Sequence, residues 1–64
     1  MVKESDGYEE KIKEVLKNEE KSTTEISFLL NRNYYDTIKI LNELNRKGII
    51  KKIEIGNYTY WKLK

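Results

Sequence analysis

At Gly48 the hydrophobic pattern of this chain changes period. Upstream, apolar residues recur at spacings of three and four, the repeat of a helix with one buried face. Downstream, Ile49-Ile50-Lys51-Lys52-Ile53-Glu54-Ile55 is β-branched and partly alternating, as a strand requires. Gly56-Asn57 is a two-residue hairpin signal, with glycine first as a type II′ turn prefers. Tyr58-Thr59-Tyr60-Trp61-Lys62-Leu63 reads as the returning strand. Few folds are open to a chain of 64 residues that is helical before one glycine and a hairpin after it.

The helical part divides into three. Tyr8, Ile12, Val15 and Leu16 form an amphipathic stripe over 8–20, supported by the pairs Glu9–Lys13 and Glu10–Lys13. Ser22 followed by Glu25 reads as a capping box that opens a second helix through Ile26, Phe28, Leu29 and Leu30. That helix is about two turns long, too short to be stable unless neighbours pin it. Asn31-Arg32-Asn33 interrupts the pattern, and Asn33 is placed to cap a third helix. Asp36 adds negative charge to its first turn. The third helix spans 34–47, with Tyr34, Ile38, Leu41 and Leu44 as its apolar stripe, Thr37 and Asn45 beside it, and Gly48 as its C-terminal cap. Residues 1–7 read as a disordered or frayed N-terminus, and 8–64 as one domain. Gly7, Gly48 and Gly56 each fall at a plausible structural break.

Size and composition narrow what such a domain does. A core this small is marginal, and with no Cys neither disulfides nor thiolate metal sites can reinforce it. With no His, the commonest metal ligand and general base is missing too. No nucleophile–base pair, glycine-rich phosphate loop or metal motif is present, so the expectation is a protein that is not an enzyme and needs no cofactor, metal or small-molecule ligand. No apolar run approaches the roughly 20 residues of a membrane span, and no signal-peptide core follows Met1, so a cytoplasmic setting without membrane contact is expected. Lys, Glu, Ile, Asn and Tyr dominate while Ala, Pro and Gln are absent, which fits an AT-rich genome and a thermophilic archaeal or viral source. The net charge of +2 says little. Its distribution says more: six basic residues against one acid from Arg46 to Lys64, and five lysines against eight acids from Met1 to Glu25. One basic end is what a molecule with a single nucleic-acid-facing side shows.

The order helix, short helix, tight turn, longer helix, hairpin resembles the winged helix-turn-helix superfamily, as found in small archaeal and bacterial transcription regulators. The resemblance is carried by Ser22 to Leu30 as positioning helix, and by Leu41-Asn42-Glu43-Leu44-Asn45-Arg46-Lys47-Gly48-Ile49-Ile50 at the end of the recognition helix and the start of the wing. Trp61-Lys62-Leu63 fits the aromatic and leucine that close the wing. It covers about residues 8–64. It implies an α+β, mainly α, winged helix-turn-helix fold of three helices and a C-terminal β-hairpin wing. It also implies sequence-specific binding of double-stranded DNA by a transcription regulator. The same fold also serves as a protein-interaction module of larger assemblies, which is the alternative.

On this reading helix 34–47 enters the major groove and wing 50–64 lies on the backbone or minor groove. A helical wheel centred on Leu41 puts Tyr34, Thr37, Ile38, Leu44 and Asn45 inward, and Tyr35, Asp36, Lys39, Asn42, Glu43 and Arg46 outward. Asn42 suits adenine, Lys39 suits guanine, and Tyr35 suits a thymine methyl or a phosphate. Arg32 and Asn33, with the hydroxyls of Ser22, Thr23 and Thr24 at a helix start, are candidates for phosphate. Asp36 is either a cap or an acceptor for a cytosine amino group, and Glu43 sits where Arg46 neutralises it. Lys51, Lys52 and Lys62 around Asn57 complete the DNA-contacting set through the wing, although lysines on a hairpin are equally a guard against aggregation.

If Ile55 faces Tyr58, then Ile53 faces Tyr60 and Lys51 faces Lys62, all on one side of the hairpin. Ile50, Trp61 and Leu63 share the side that closes the core. The first side then exposes four large apolar groups, which marks an interface. Together with Tyr8 on the first helix, Ile53, Ile55, Tyr58 and Tyr60 are the candidate dimer interface of a homodimer, which would supplement a small core and offer two DNA half-sites.

Overall fold

The computed structural model describes residues 4–64, with side chains from Gly7 onward. Met1–Lys3, part of the segment expected to fray, lie outside the described residues. Helix α1 runs over Glu4–Val15. It starts four residues before Tyr8, so Gly7 lies inside a helix rather than at a break. It also stops well short of Glu20. Leu16 still closes a helical turn on the Ile12 carbonyl at 2.9 Å, and the chain then turns at Lys17 onto Glu14. Lys13 bridges Glu9 at 3.4 Å and Glu10 at 3.6 Å, the two pairs read from the spacing.

After the turn Lys21–Ser22 form a two-residue strand, β1, which no period could announce. Helix α2 follows at Thr23–Leu30. Ser22 Oγ accepts from the Glu25 N–H at 3.2 Å, and Glu25 Oε1 accepts from the Ser22 N–H at 3.0 Å, completing the capping box. The helix ends where Asn31 takes a left-handed conformation (φ +56°) that lets Arg32 N–H reach back to the Ser27 carbonyl at 3.0 Å. Its inward face is Thr23, Ile26 and Leu30. Phe28 and Leu29, the other large apolar residues of this helix, point outward, and Phe28 is 91% exposed.

Helix α3 spans Tyr34–Arg46. Asn33 Oδ1 accepts from the Asp36 N–H at 2.8 Å as its N-cap. At the other end Gly48 (φ +81°) donates to Asn45 and Ile49 donates to Leu44, both at 3.0 Å, a Schellman ending that needs the left-handed glycine. The buried face is Thr37, Ile40, Leu41 and Leu44. It is turned about 50° from the wheel centred on Leu41. Ile40 goes inward, Ile38 is half-buried, and Tyr34 and Asn45 are exposed.

Strands β2 (Ile50–Ile55) and β3 (Tyr58–Leu63) form the hairpin. Ile55 pairs with Tyr58, Ile53 with Tyr60 and Lys51 with Lys62, the register read from the turn. Gly56 has φ +59° and Asn57 is not left-handed, as a type II′ turn requires. β1 adds to the other side of β3, Lys21 opposite Trp61 and Ser22 opposite Tyr60, giving the antiparallel order β1-β3-β2. The chain is thus a mainly helical α+β fold of winged-helix-like topology, with one strand more than expected. Ile12, Leu16, Ile26, Leu30, Ile40, Leu41, Leu44, Ile50 and Trp61 make one core, in which α2 and α3 pack on the sheet and α1 packs on α2 and α3. Among the described residues no helix is long and apolar enough to cross a membrane.

Candidate nucleic-acid interface

The burial of one face of α3 decides what the opposite face can present. Measured from the centre of Thr37, Ile40, Leu41 and Leu44, the opposite direction is occupied by Tyr35, Lys39, Asn42 and Arg46, each within about 30° of it. All four are exposed, and Tyr35 is 78% exposed. Their spacing of four, three and four keeps them in line along about 16 Å of helix, roughly five base-pair steps at 3.4 Å. The row holds an amide, two cations and a phenol, the groups that hydrogen-bond base edges and phosphates. Glu43 borders the row, 3.7 Å from Arg46, so its charge is offset where it arises. Tyr34 meets Tyr35 edge-on with ring centroids 6.0 Å apart.

The turn before α3 is built differently from the expectation. Arg32 Nη2 donates to Asp36 Oδ2 at 3.1 Å, and its guanidinium lies over the Tyr8 ring at 5.7 Å. Asn33 uses both ends of its amide on Asp36, the oxygen as cap and Nδ2 toward Oδ2 at 3.3 Å. Arg32, Asn33 and Asp36 therefore form a local clasp that fixes the start of α3. Asp36 is not itself the cap: its carboxylate accepts from the side chain of the Asn33 cap and pairs with Arg32. Tyr8 belongs to the same clasp and is half-buried, packed against the core.

At the start of α2 the three hydroxyls separate. Ser22 is held in the capping box. Thr23 is buried, and its Oγ1 accepts from the Trp61 Nε1–H at 2.8 Å, which withdraws it from any phosphate role. Thr24 is exposed. Ser22, Thr24, Tyr34, Asn57, Tyr58 and Thr59 line a cleft of about 430 Å³ between the helix starts and the wing tip. Tyr34 and Thr59 were not anticipated there. Tyr34 starts α3 and Thr59 lies on β3, and their approach to the start of α2 is a tertiary arrangement that leaves no local signal in the sequence. This cleft offers neutral hydroxyl and amide donors without lysine.

The lysines sit on the wing's two faces. Lys51 and Lys62 are paired across β2 and β3 on the outer face. Lys52 is on the opposite face, 3.9 Å from Glu54. All three are exposed. At the base of the wing Lys21 is hydrogen-bonded to Glu19, which raises its pKa. The Glu25 carboxylate lies below its ordinary value because it accepts the Ser22 N–H. On the outer face Ile55 is 56% and Tyr58 67% exposed, while Ile53 and Tyr60 are half-buried.

No protein-family model matches the chain, nor does any curated protein or solved structure.

Proposed function

We propose that the chain is a transcription regulator that binds double-stranded DNA sequence-specifically, in an intracellular setting. Helix α3 enters the major groove and the β2–β3 wing lies on the backbone or minor groove. The observation that carries the reading is the row Tyr35, Lys39, Asn42 and Arg46 on the solvent face of a helix whose other face closes the core. Asn42 and Lys39 supply base recognition, Tyr35 and Arg46 extend the contact toward the sugar-phosphate strands, and Lys51 and Lys62 add wing contacts. The chain's resemblance to winged helix-turn-helix regulators supports the same assignment. Titration of a random-sequence duplex of about 20–30 base pairs across a salt series tests it. Micromolar affinity falling steeply with log salt supports phosphate binding. Absence of binding at low salt overturns it.

A second reading, a protein-interaction module, draws on Phe28 and Leu29, which leave an apolar patch on the outer side of α2 beside Lys21 and Glu25. Substituting Phe28 leaves DNA affinity intact on the first reading and abolishes partner capture on the second.

A further inference from the structure

We propose that two copies of this chain associate through the free edge of β2, strand to antiparallel strand, with Ile53 of each copy on the twofold axis. The inference is independent of DNA binding. β2 is the outer strand of the sheet, and among the described residues no strand covers its outward side. The backbone direction along it follows from two observations. Ile55 and Tyr58 flank a two-residue turn, and such a flanking pair exchanges both hydrogen bonds. At the other end the Ile49 carbonyl accepts from Lys64 at 3.2 Å. Residues 49, 51, 53 and 55 therefore turn their backbone groups toward β3. Lys52 and Glu54, with Ile50, turn theirs toward solvent.

A symmetric antiparallel partner must meet those outward groups, so the axis has to pass through a residue of β2. An axis at Lys52 sets Lys52 against Lys52 of the second copy. An axis at Glu54 sets Glu54 against its own equivalent. Both place like charges directly opposite, which is destabilising. An axis at Ile53 sets Lys52 opposite Glu54 of the second copy, twice, and makes each such pair a doubly hydrogen-bonded one. On the other sheet face it sets Ile53 beside Ile53, joining the half-buried Tyr60 and Ile53 of both copies into one apolar row. One register is attractive and its neighbours are repelled, so the charges act as a selector rather than as a general guard against pairing. The sheet's other edge, β1, has two residues and is too short to template a further strand, so association stops at two copies. The contact is far smaller than the roughly 800 Å² per partner of a standard interface, which makes the dimer weak and concentration-dependent.

Sedimentation velocity on the full chain without DNA, from about 10 µM to about 1 mM, tests this. The wild type is expected to shift from monomer to dimer. Lys52→Glu and Glu54→Lys, each alone, place like charges in both pairs and are expected to weaken association by roughly tenfold or more. Their equimolar mixture restores opposite charges and is expected to form a heterodimer as readily as the wild type forms its dimer. Both positions are exposed, and unchanged circular dichroism confirms that the monomers stay folded. A wild type that remains monomeric throughout, single variants that associate like the wild type, or a mixture that remains monomeric would each overturn the proposal.

Discussion

The indole N–H of Trp61 donates to Thr23 Oγ1 at 2.8 Å, a buried bond between residues 38 apart in the chain. It joins the central strand of the sheet to the first residue of α2. The largest side chain of the core thereby has its polar atom satisfied, and a threonine at a helix start becomes a structural acceptor.

Thr23→Val keeps the shape and removes the acceptor, leaving a buried indole N–H without a partner. The expected cost is about 1–3 kcal/mol, the desolvation penalty of one unpaired donor. For a domain of this size that is a fall in melting temperature of roughly 4–8 °C per kcal/mol. Thr23→Ser keeps the acceptor and should lie much closer to the wild type. Thermal unfolding followed by Trp61 fluorescence reads both, and equal losses for the two variants would show that the methyl group matters rather than the bond.

Substitution along the α3 row should separate binding from folding. Lys39→Ala, Asn42→Ala and Arg46→Ala all lie at exposed positions, so each should alter stability by no more than about 0.5 kcal/mol. Asn42→Ala is expected to reduce discrimination at one base pair by about 1–3 kcal/mol once a specific site is known. Arg46→Ala is expected to weaken binding across all sequences. Competition binding with single-base variants of the site distinguishes these outcomes.

The wing lysines should act through salt. Lys51→Gln and Lys62→Gln remove cations from the outer face of the hairpin, and each is expected to lower the slope of log affinity against log salt by about 1. Lys52→Gln, on the other face beside Glu54, is expected to change that slope less. Binding isotherms at four or five salt concentrations provide the slopes.

Glu25 links the capping box to pH. Its carboxylate accepts the Ser22 N–H, and its pKa in the folded chain lies below the ordinary 4.5. A carboxyl whose folded value is depressed stabilises the fold at pH values above its unfolded value. That contribution is lost as pH falls from about 4.5 through the lower folded value. Glu25→Gln keeps an acceptor without a titrating proton, so its melting temperature should fall less steeply than that of the wild type below about pH 4.5. Melting curves collected between about pH 6 and pH 3 test the difference in slope.

How far the sequence reveals this fold depends on whether the signal is local. Gly48 and Gly56 mark their turns because left-handed backbone is cheap for glycine, and the hairpin register follows from the turn length. Ser22 and Glu25 mark the start of α2 because a capping box lies within four residues. Tertiary choices are not written in that way. Tyr34 and Ile40 are both large and apolar, and only tertiary packing selects Ile40 for the core. Phe28 and Leu29 lie on a helix of two turns, where Ile26 and Leu30 already fill the inward face. Thr23 and Trp61 are joined by a bond whose partners lie on separate elements. In the candidate interface, Tyr35, Lys39, Asn42 and Arg46 could be read from the wheel even with its centre misplaced, because 50° of error still left them outside. Arg32, Asn33 and Asp36 could not, because their clasp is a matter of side-chain geometry.

The strand that holds the sheet together is made after both of the strands it joins. β3 lies between β1 and β2 and carries Trp61, so while the ribosome is still short of Tyr58–Leu63 neither outer strand has anything to pair with. Ser22, which both pairs with Tyr60 and caps α2, waits with them. The growing domain therefore holds three marginal helices and no sheet until β3 emerges. Folding is thus expected as a single event that follows the appearance of β3 rather than a progressive one.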